Sequence, residues 1–237
     1  MKFGIFAPGN IVGFDQLVLF IDKAELSGFD GVFFFDHLWP HNHPEKPALD
    51  SLISTVTALS VSETLLSGPL ALRVTMRGVK ETIAKTSTIE SIFGKRFICT
   101  IGAGDIKSIQ EDFFVPSVEL NFENRIGALR SVIEVLSKRI PNLWLGGSAS
   151  TIINLSSELN LGLNLWDKDI EFIKALPKNI KFSWSGPYAS LINLHDNSPS
   201  RSIKSLIELG AEWIVIGWPP RLDQLSGLIG EMKQNYC

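Results

Sequence analysis

The chain has 237 residues, of which 45 % are apolar and 20 % charged, and its formal net charge is −3. That is enough apolar material for one sizeable core. The slight negative balance and the scattered lysines and arginines exclude a phosphate-tracking nucleic-acid face, and no apolar run approaches the roughly 18 residues of a membrane span.

Residues 2–7 read as a strand that begins directly after Met1, with none of the charged and apolar regions of a secretory leader. The two cysteines, Cys99 in an apolar run and Cys237 at the end, make no metal or redox spacing. A cytoplasmic protein is expected. A helix follows at 15–26, with Leu17, Phe20, Ile21 and Ala24 on one face, Asp15 placed to cap it and Gly28 to end it.

The second strand, 31–35, ends in Phe35-Asp36-His37-Leu38-Trp39-Pro40. It delivers an acid, an imidazole and an indole together. Imidazole is suited to proton transfer near neutral pH, and indole to stacking on a flat ligand. The plainer alternative is that Asp36 caps a turn and His37 is a satisfied loop residue. His41 and His43 follow, but with Pro40 and Pro44 in the loop nothing fixes them on one face, and no metal site is expected.

A helix at 49–61 leads to the third strand, 65–70, which carries Ser67-Gly68-Pro69-Leu70-Ala71. Proline interrupts a hydrogen-bonded ladder, so a bulge or bend is expected there. After a helix at 79–92, the fourth strand, 96–101, runs into Gly102-Ala103-Gly104-Asp105. These glycines either let a ligand approach the backbone or make a tight turn, and the third glycine of a dinucleotide fingerprint is missing.

A helix at 124–138 precedes the fifth strand, 142–146, which ends in Gly146-Gly147-Ser148 before a helix at 151–159. Backbone amides at a helix N-terminus suit a phosphate; the alternative is a turn with Ser148 or Ser150 as the helix cap. Strands at 162–165, 180–184 and 212–216 then alternate with helices at 167–176, 200–209 and 222–234. The seventh strand ends Ser183-Trp184-Ser185-Gly186-Pro187, the eighth Gly217-Trp218-Pro219, and His195 reads as a loop histidine.

Eight strands alternating with eight helices predict an α/β fold, a (β/α)8 TIM barrel over residues 1–237 as one domain, with a doubly wound sheet as the competing architecture. The close spacing of the strands near 142, 162 and 180 requires short connecting helices and a shortened second half. In such a barrel the active site lies at the C-terminal strand ends.

Together these segments resemble the luciferase-like flavin- or deazaflavin-dependent oxidoreductases, and among them most closely the F420-dependent methylenetetrahydromethanopterin reductases. The resemblance rests on Lys2-Phe3-Gly4-Ile5, Gly28-Phe29-Asp30, Asp36-His37, Gly68-Pro69, Thr88-Ile89-Glu90, Gly94-Lys95-Arg96, Gly104-Asp105, Gly146-Gly147 and Gly217-Trp218-Pro219. It is dense over the first half and patchy after it. It implies an oxidoreductase that transfers a hydride between coenzyme F420 and a small molecule, with FMN as the alternative cofactor. His37 and Asp105 are then the catalytic pair.

The implied cofactor site comprises Asp36, Trp39 and Trp184, the bulged segment Gly68, Pro69, Leu70 and Ala71, and a backbone cradle at Gly102, Ala103, Gly104, Gly146, Gly147 and Ser148. Leu70-Ala71 is the candidate for the family's non-proline cis peptide. No metal, nucleic-acid or membrane partner is implied, and such relatives are commonly homodimers. Two departures stand out: Thr75-Met76-Arg77-Gly78-Val79 lacks the family's proline, and Asn164-Leu165-Trp166 replaces a common Asp-Gly-Trp. Chains of that family usually carry an insertion in the second half that shapes substrate access; this chain lacks most of it, so pterin specificity does not carry over. The rival readings are an FMN monooxygenase, a non-catalytic cofactor-binding protein, and an unrelated barrel that holds a phosphorylated metabolite at residues 146–148.

Overall fold

Short apolar strands that must be covered on both faces, alternating with amphipathic helices, are satisfied by a closed parallel barrel inside a helical shell. The computed structural model, which describes residues 1–40, 43–104, 108–114, 122–219 and 221–236, has this (β/α)8 architecture. Its strands are β1 (Lys2–Phe6), β2 (Gly31–Phe34), β3 (Leu66–Pro69), β4 (Leu72–Arg73), β5 (Cys99–Gly102), β6 (Leu143–Gly146), β7 (Gly162–Trp166), β8 (Phe182–Pro187) and β9 (Ala211–Gly217). All pair in parallel, in the order β3-β2-β1-β9-β8-β7-β6-β5-β4.

The predicted third strand is divided. β3 pairs with β2, β4 pairs with β5, and the Leu70-Ala71 peptide between them is cis, at the position the resemblance implied. The ring closes where the Ile98 amide donates to the Ser67 carbonyl at 2.9 Å, beside a single parallel bridge from Ser67 to Phe97. Pro69 is tolerated because the Leu66 and Leu70 amides donate to the Asp30 and Phe34 carbonyls, just before and at the end of β2. The Pro69 nitrogen, one residue out of phase, faces the β5 side, where the ladder asks nothing of it.

Gly68 permits this closure. A Cβ there would lie 1.7 Å from the Ile98 carbonyl oxygen, which is backbone and cannot swing aside. Gly68→Ala is expected to destabilise the fold by about 1–3 kcal/mol through overpacking, read as a lower denaturation midpoint. An unchanged midpoint would show that the seam is looser than described.

The helices are α1 (Phe14–Leu26), α2 (Ser51–Val61), α3 (Val74–Arg77), α4 (Val79–Phe93), α5 (Ile109–Asp112), α6 (Phe122–Leu136), α7 (Ser150–Leu159), α8 (Ile170–Lys174), α9 (Tyr188–Asn193), α10 (Pro199–Glu208) and α11 (Leu222–Tyr236). Among the described residues none is long and apolar enough to cross a membrane. The five-residue α8 is the short connection that the strand spacing required. α1 begins at Phe14 behind Gly13, so Asp15 lies inside the first turn and does not cap the helix.

The fourth predicted strand starts late. Residues Gly94–Arg96 form a 3-10 turn, which aims the Arg96 guanidinium at the Leu59 and Ser62 carbonyls at the end of α2, at 2.9 and 2.7 Å. The seventh predicted strand extends further than expected, to Pro187.

Strand alternation divides the core in two. Outward residues such as Phe3, Ile5, Val32 and Cys99 pack beneath the helices, while Phe6, Phe33, Leu70, Ile98, Trp144, Trp213 and Val215 fill the barrel. Burial leaves the Cys99 thiol inaccessible and pushes its pKa up.

Between β7 and β8 the barrel lining is polar. Asn164 Nδ2 donates to Ser183 Oγ at 2.8 Å, and Ser185 Oγ donates to Asn164 Oδ1 at 3.1 Å. With Ser183 and Ser185 facing in, Trp184 faces out. It is fully buried under the shell, with its indole N–H on the Lys168 carbonyl at 2.9 Å. Trp184 therefore does not reach the mouth, contrary to its place in the expected cofactor site.

Candidate active site at the barrel mouth

β2 ends by carrying Asp36, His37 and Trp39 to the C-terminal mouth. The His37 side chain is 39 % exposed, and its Nδ1 lies 2.7 Å from Glu111 Oε1. Glu111 stands on α5, after β5, and reaches across the divided third stave. Its second oxygen accepts from the Leu38 amide at 2.7 Å and from Arg73 Nη2 at 2.6 Å. A carboxylate at Nδ1 fixes the tautomer with the proton on that nitrogen, which leaves Nε2 as the acceptor available to a ligand.

Burial pushes the Glu111 carboxyl up, but the hydrogen bonds from His37 and Leu38 and the charge of Arg73 outweigh it and hold the group below the ordinary range. The adjacent Asp112 goes the other way. Burial raises it further than the charges of Arg73, at 3.3 Å, and Arg125, at 3.4 Å, lower it. The two neighbouring carboxyls are thus shifted in opposite directions, Glu111 by its hydrogen bonds and Asp112 by burial.

Asp36 has a different place from the one expected. It is 3 % exposed and saturated: Ser51 Oγ and Arg77 Nη2 donate to its Oδ1 at 2.7 and 2.5 Å, and the Arg73 amide donates to its Oδ2 at 2.8 Å. It braces β2 against β4 and α3. Arg77 also bonds Asp50 at 2.8 Å, and Asp50 caps α2 by accepting from the Leu52 and Ile53 amides. Trp39 lies at the rim, edge-on to the exposed Phe114 with centroids 5.5 Å apart. Asp105 and His41 lie outside the described residues. Among those residues no three His, Cys, Asp or Glu side chains gather as a metal would need, and His43 pairs with Glu45 at 3.1 Å in an exposed loop.

The glycines at the tips of β5 and β6 lower one side of the mouth. A Cβ on Gly146 would come within 2.6 Å of the Ala71 methyl, and one on Gly102 within 3.4 Å. Ala71 and bare backbone therefore floor this side, above the buried Leu70, Gly68 and Pro69. Gly104, at φ +77, and Ala103 border it over Thr75 and Arg125. Gly147 is at φ +140, a conformation that disfavours other residues, and its missing side chain would face Ile152 of α7. Ser148 is half-buried. The α7 N-cap is Ala149, with no side-chain cap, so neither Ser148 nor Ser150 satisfies that helix end.

The opposite side is high and aromatic. Phe6, Phe35 and Trp218 form a stack, with centroids 4.1 and 5.4 Å apart and interplanar angles of 7°, and Trp166 stands edge-on to all three. Sequence reading noted Trp218 at a strand tip but not the cluster, which joins four distant parts of the chain. Glu111 was missed as well.

No protein-family model matches the chain, and no curated protein matches it by sequence. Solved structures share its fold. An F420-dependent secondary alcohol dehydrogenase in complex with an F420-acetone adduct superposes with a TM-score of 0.77 at 13 % identity, over 97 % of this chain and 98 % of that one. The coenzyme F420-dependent tetrahydromethanopterin reductase from Methanopyrus kandleri gives 0.73 at 14 %, over 100 % and 99 %. The FMN-bound oxygenating constituent of 3,6-diketocamphane monooxygenase from Pseudomonas putida gives 0.70 at 12 %, over 100 % and 97 %. The common element is the barrel.

Proposed function

We propose that this protein is an oxidoreductase that transfers a hydride between coenzyme F420 and a small-molecule substrate, with His37 handling the accompanying proton. The observation that carries this reading is the pairing of an accessible imidazole, oriented by Glu111, with a low floor of Ala71, Gly102 and Gly146 at the same mouth. Side chains at those glycines would fill the space that a flat ring system needs, so the residues fit such a cofactor. The uncapped first turn of α7, approached through Gly147 and Ser148, offers amide donors to its phosphate. The solved relatives that bind F420 or FMN on this fold support the same reading.

A reduced deazaflavin, when bound, supplies a hydride to a substrate carbon. The protein positions the reactants and excludes water. His37 Nε2 takes the proton from the substrate oxygen when the substrate is oxidised, and returns it when the substrate is reduced. Glu111 keeps the ring in one tautomer and stabilises the imidazolium formed. Arg73 and the Leu38 amide hold Glu111 in place for that task.

Equilibrium titration with F420 and with FMN tests the proposal. Saturable binding of F420, tighter than that of FMN, is expected. Preference for FMN would reassign the protein to flavin-dependent chemistry, and binding of neither would remove the proposal.

A further inference from the structure

Phe6 and Phe35 come from the tips of β1 and β2, Trp166 from β7, and Trp218 from the residue after β9. The stack runs outward from the buried Phe6 through Phe35 to Trp218, which is 50 % exposed. Trp166, 38 % exposed, meets Trp218 at 83° with centroids 5.9 Å apart. The two indoles form a right-angled apolar corner, and the outer face of Trp218 is where a further flat ring would continue the stack. Trp218 holds this place at φ +49, a left-handed backbone that is costly for a bulky side chain. A chain that needed only to finish a strand would put glycine or asparagine there.

We infer that this aromatic corner is the substrate subsite, and that it selects a planar, conjugated or aromatic carbonyl compound, or the corresponding alcohol, over phosphorylated or sugar-like substrates. The inference rests on the hydride-transfer reading above. Phe35, which backs Trp218 on its inner side, lies 6.2 Å from the His37 ring, so the corner and the imidazole belong to the same mouth. Among the described residues, the arginines near the mouth are set against carboxylates: Arg73 against Glu111 and Asp112, Arg77 against Asp36 and Asp50, and Arg125 against Asp112. Offset stacking and edge-to-face contacts with the two indoles reward flat π-systems. In the reducing direction, the substrate oxygen would take its proton from His37, and bound reduced F420 would supply the hydride, and with it both electrons, to the carbonyl carbon.

Calorimetric titration with trans-4-phenyl-3-buten-2-one and with glucose 6-phosphate, on the protein with and without F420, tests this. The ketone is expected to bind and the sugar phosphate is not. Trp218→Ala is expected to weaken ketone binding by about 10-fold and Trp218→Phe by no more than about 3-fold, with F420 affinity unchanged in both. Trp166→Ala provides a second reading if Trp218→Ala unfolds at a lower temperature than the parent. Ketone affinity unaltered by both alanine variants, or tighter binding of glucose 6-phosphate than of the ketone, would overturn the assignment. If F420 and FMN both fail to bind, the hydride-transfer reading falls, while the Trp218 dependence of ketone binding still decides the nature of the corner.

Discussion

Turnover of the His37→Ala variant is expected to fall by about 10²–10⁴-fold, the range associated with one positioned general acid–base group. The imidazole is the exposed member of an otherwise buried ionic cluster, so its removal takes away proton transfer without opening the core. Cofactor affinity should therefore change little, because the proposed cradle at Ala71, Gly102 and Gly146 does not touch His37. Glu111→Gln separates chemistry from architecture. Glutamine can still accept from Nδ1–H but no longer stabilises imidazolium, so turnover should drop and its pH profile should move, while F420 titration stays near that of the parent. Single-turnover kinetics beside cofactor titration would check both variants. A His37→Ala enzyme with the parent rate would remove the imidazole from the mechanism.

Asp36→Ala is expected to cost about 3–5 kcal/mol of stability, the usual consequence of leaving one partner of a buried ion pair uncompensated. For a domain of this size that corresponds to a fall in Tm of roughly 6–20 °C. The Arg77 guanidinium would keep Asp50, which is itself partly in solvent, and a long 3.4 Å hydrogen bond to Ser51 Oγ, while the Arg73 amide and Ser51 hydroxyl would lose their acceptor. In the parent the hydrogen bond to Asp36 and the charges of Asp36 and Asp50 outweigh burial and raise the Arg77 pKa; a guanidinium is not deprotonated in proteins, so the variant leaves a cation with one carboxylate fewer. A variant with parental Tm but lost cofactor affinity would return Asp36 to the ligand-contacting role implied by the family resemblance.

The barrel was legible because its eight staves are short apolar runs separated by helical periodicity, and each was found within a few residues of its place. The break in the third stave showed only as an odd Gly68-Pro69. α3, α5 and α9, at four to six residues each, are too short to display a helical period. His37 could be read from its position at a strand tip. Glu111 could not, because what makes it the histidine's partner is a reach from one stave's loop to another, over 74 positions of sequence. Asp105 is the acid that the sequence sets directly beside the glycines. The inward placement of Ser183 and Ser185 was a missed signal: two small polar residues flanking Trp184 set the strand parity, and with it the burial of that indole.

The divided stave has a consequence for how the molecule holds together. Where the third stave parts from β2 after β3, the ladder is replaced by charge: the Arg73 amide and Nε of β4 are stitched to Asp36, and Glu111 clasps the Leu38 amide from the far side. Carboxylates thus act as rivets across the gap that main-chain pairing leaves open, and one of these rivets also steers the imidazole. Glu111 and Asp50 have folded-state pKa values below their unfolded ones, so what they contribute is present above the unfolded carboxylate range and drains away as pH falls below it through the folded values; the raised Asp112 runs counter to them. Acid that slackens the clasp would also disorient the histidine, which ties the mechanical integrity of the rim to its competence.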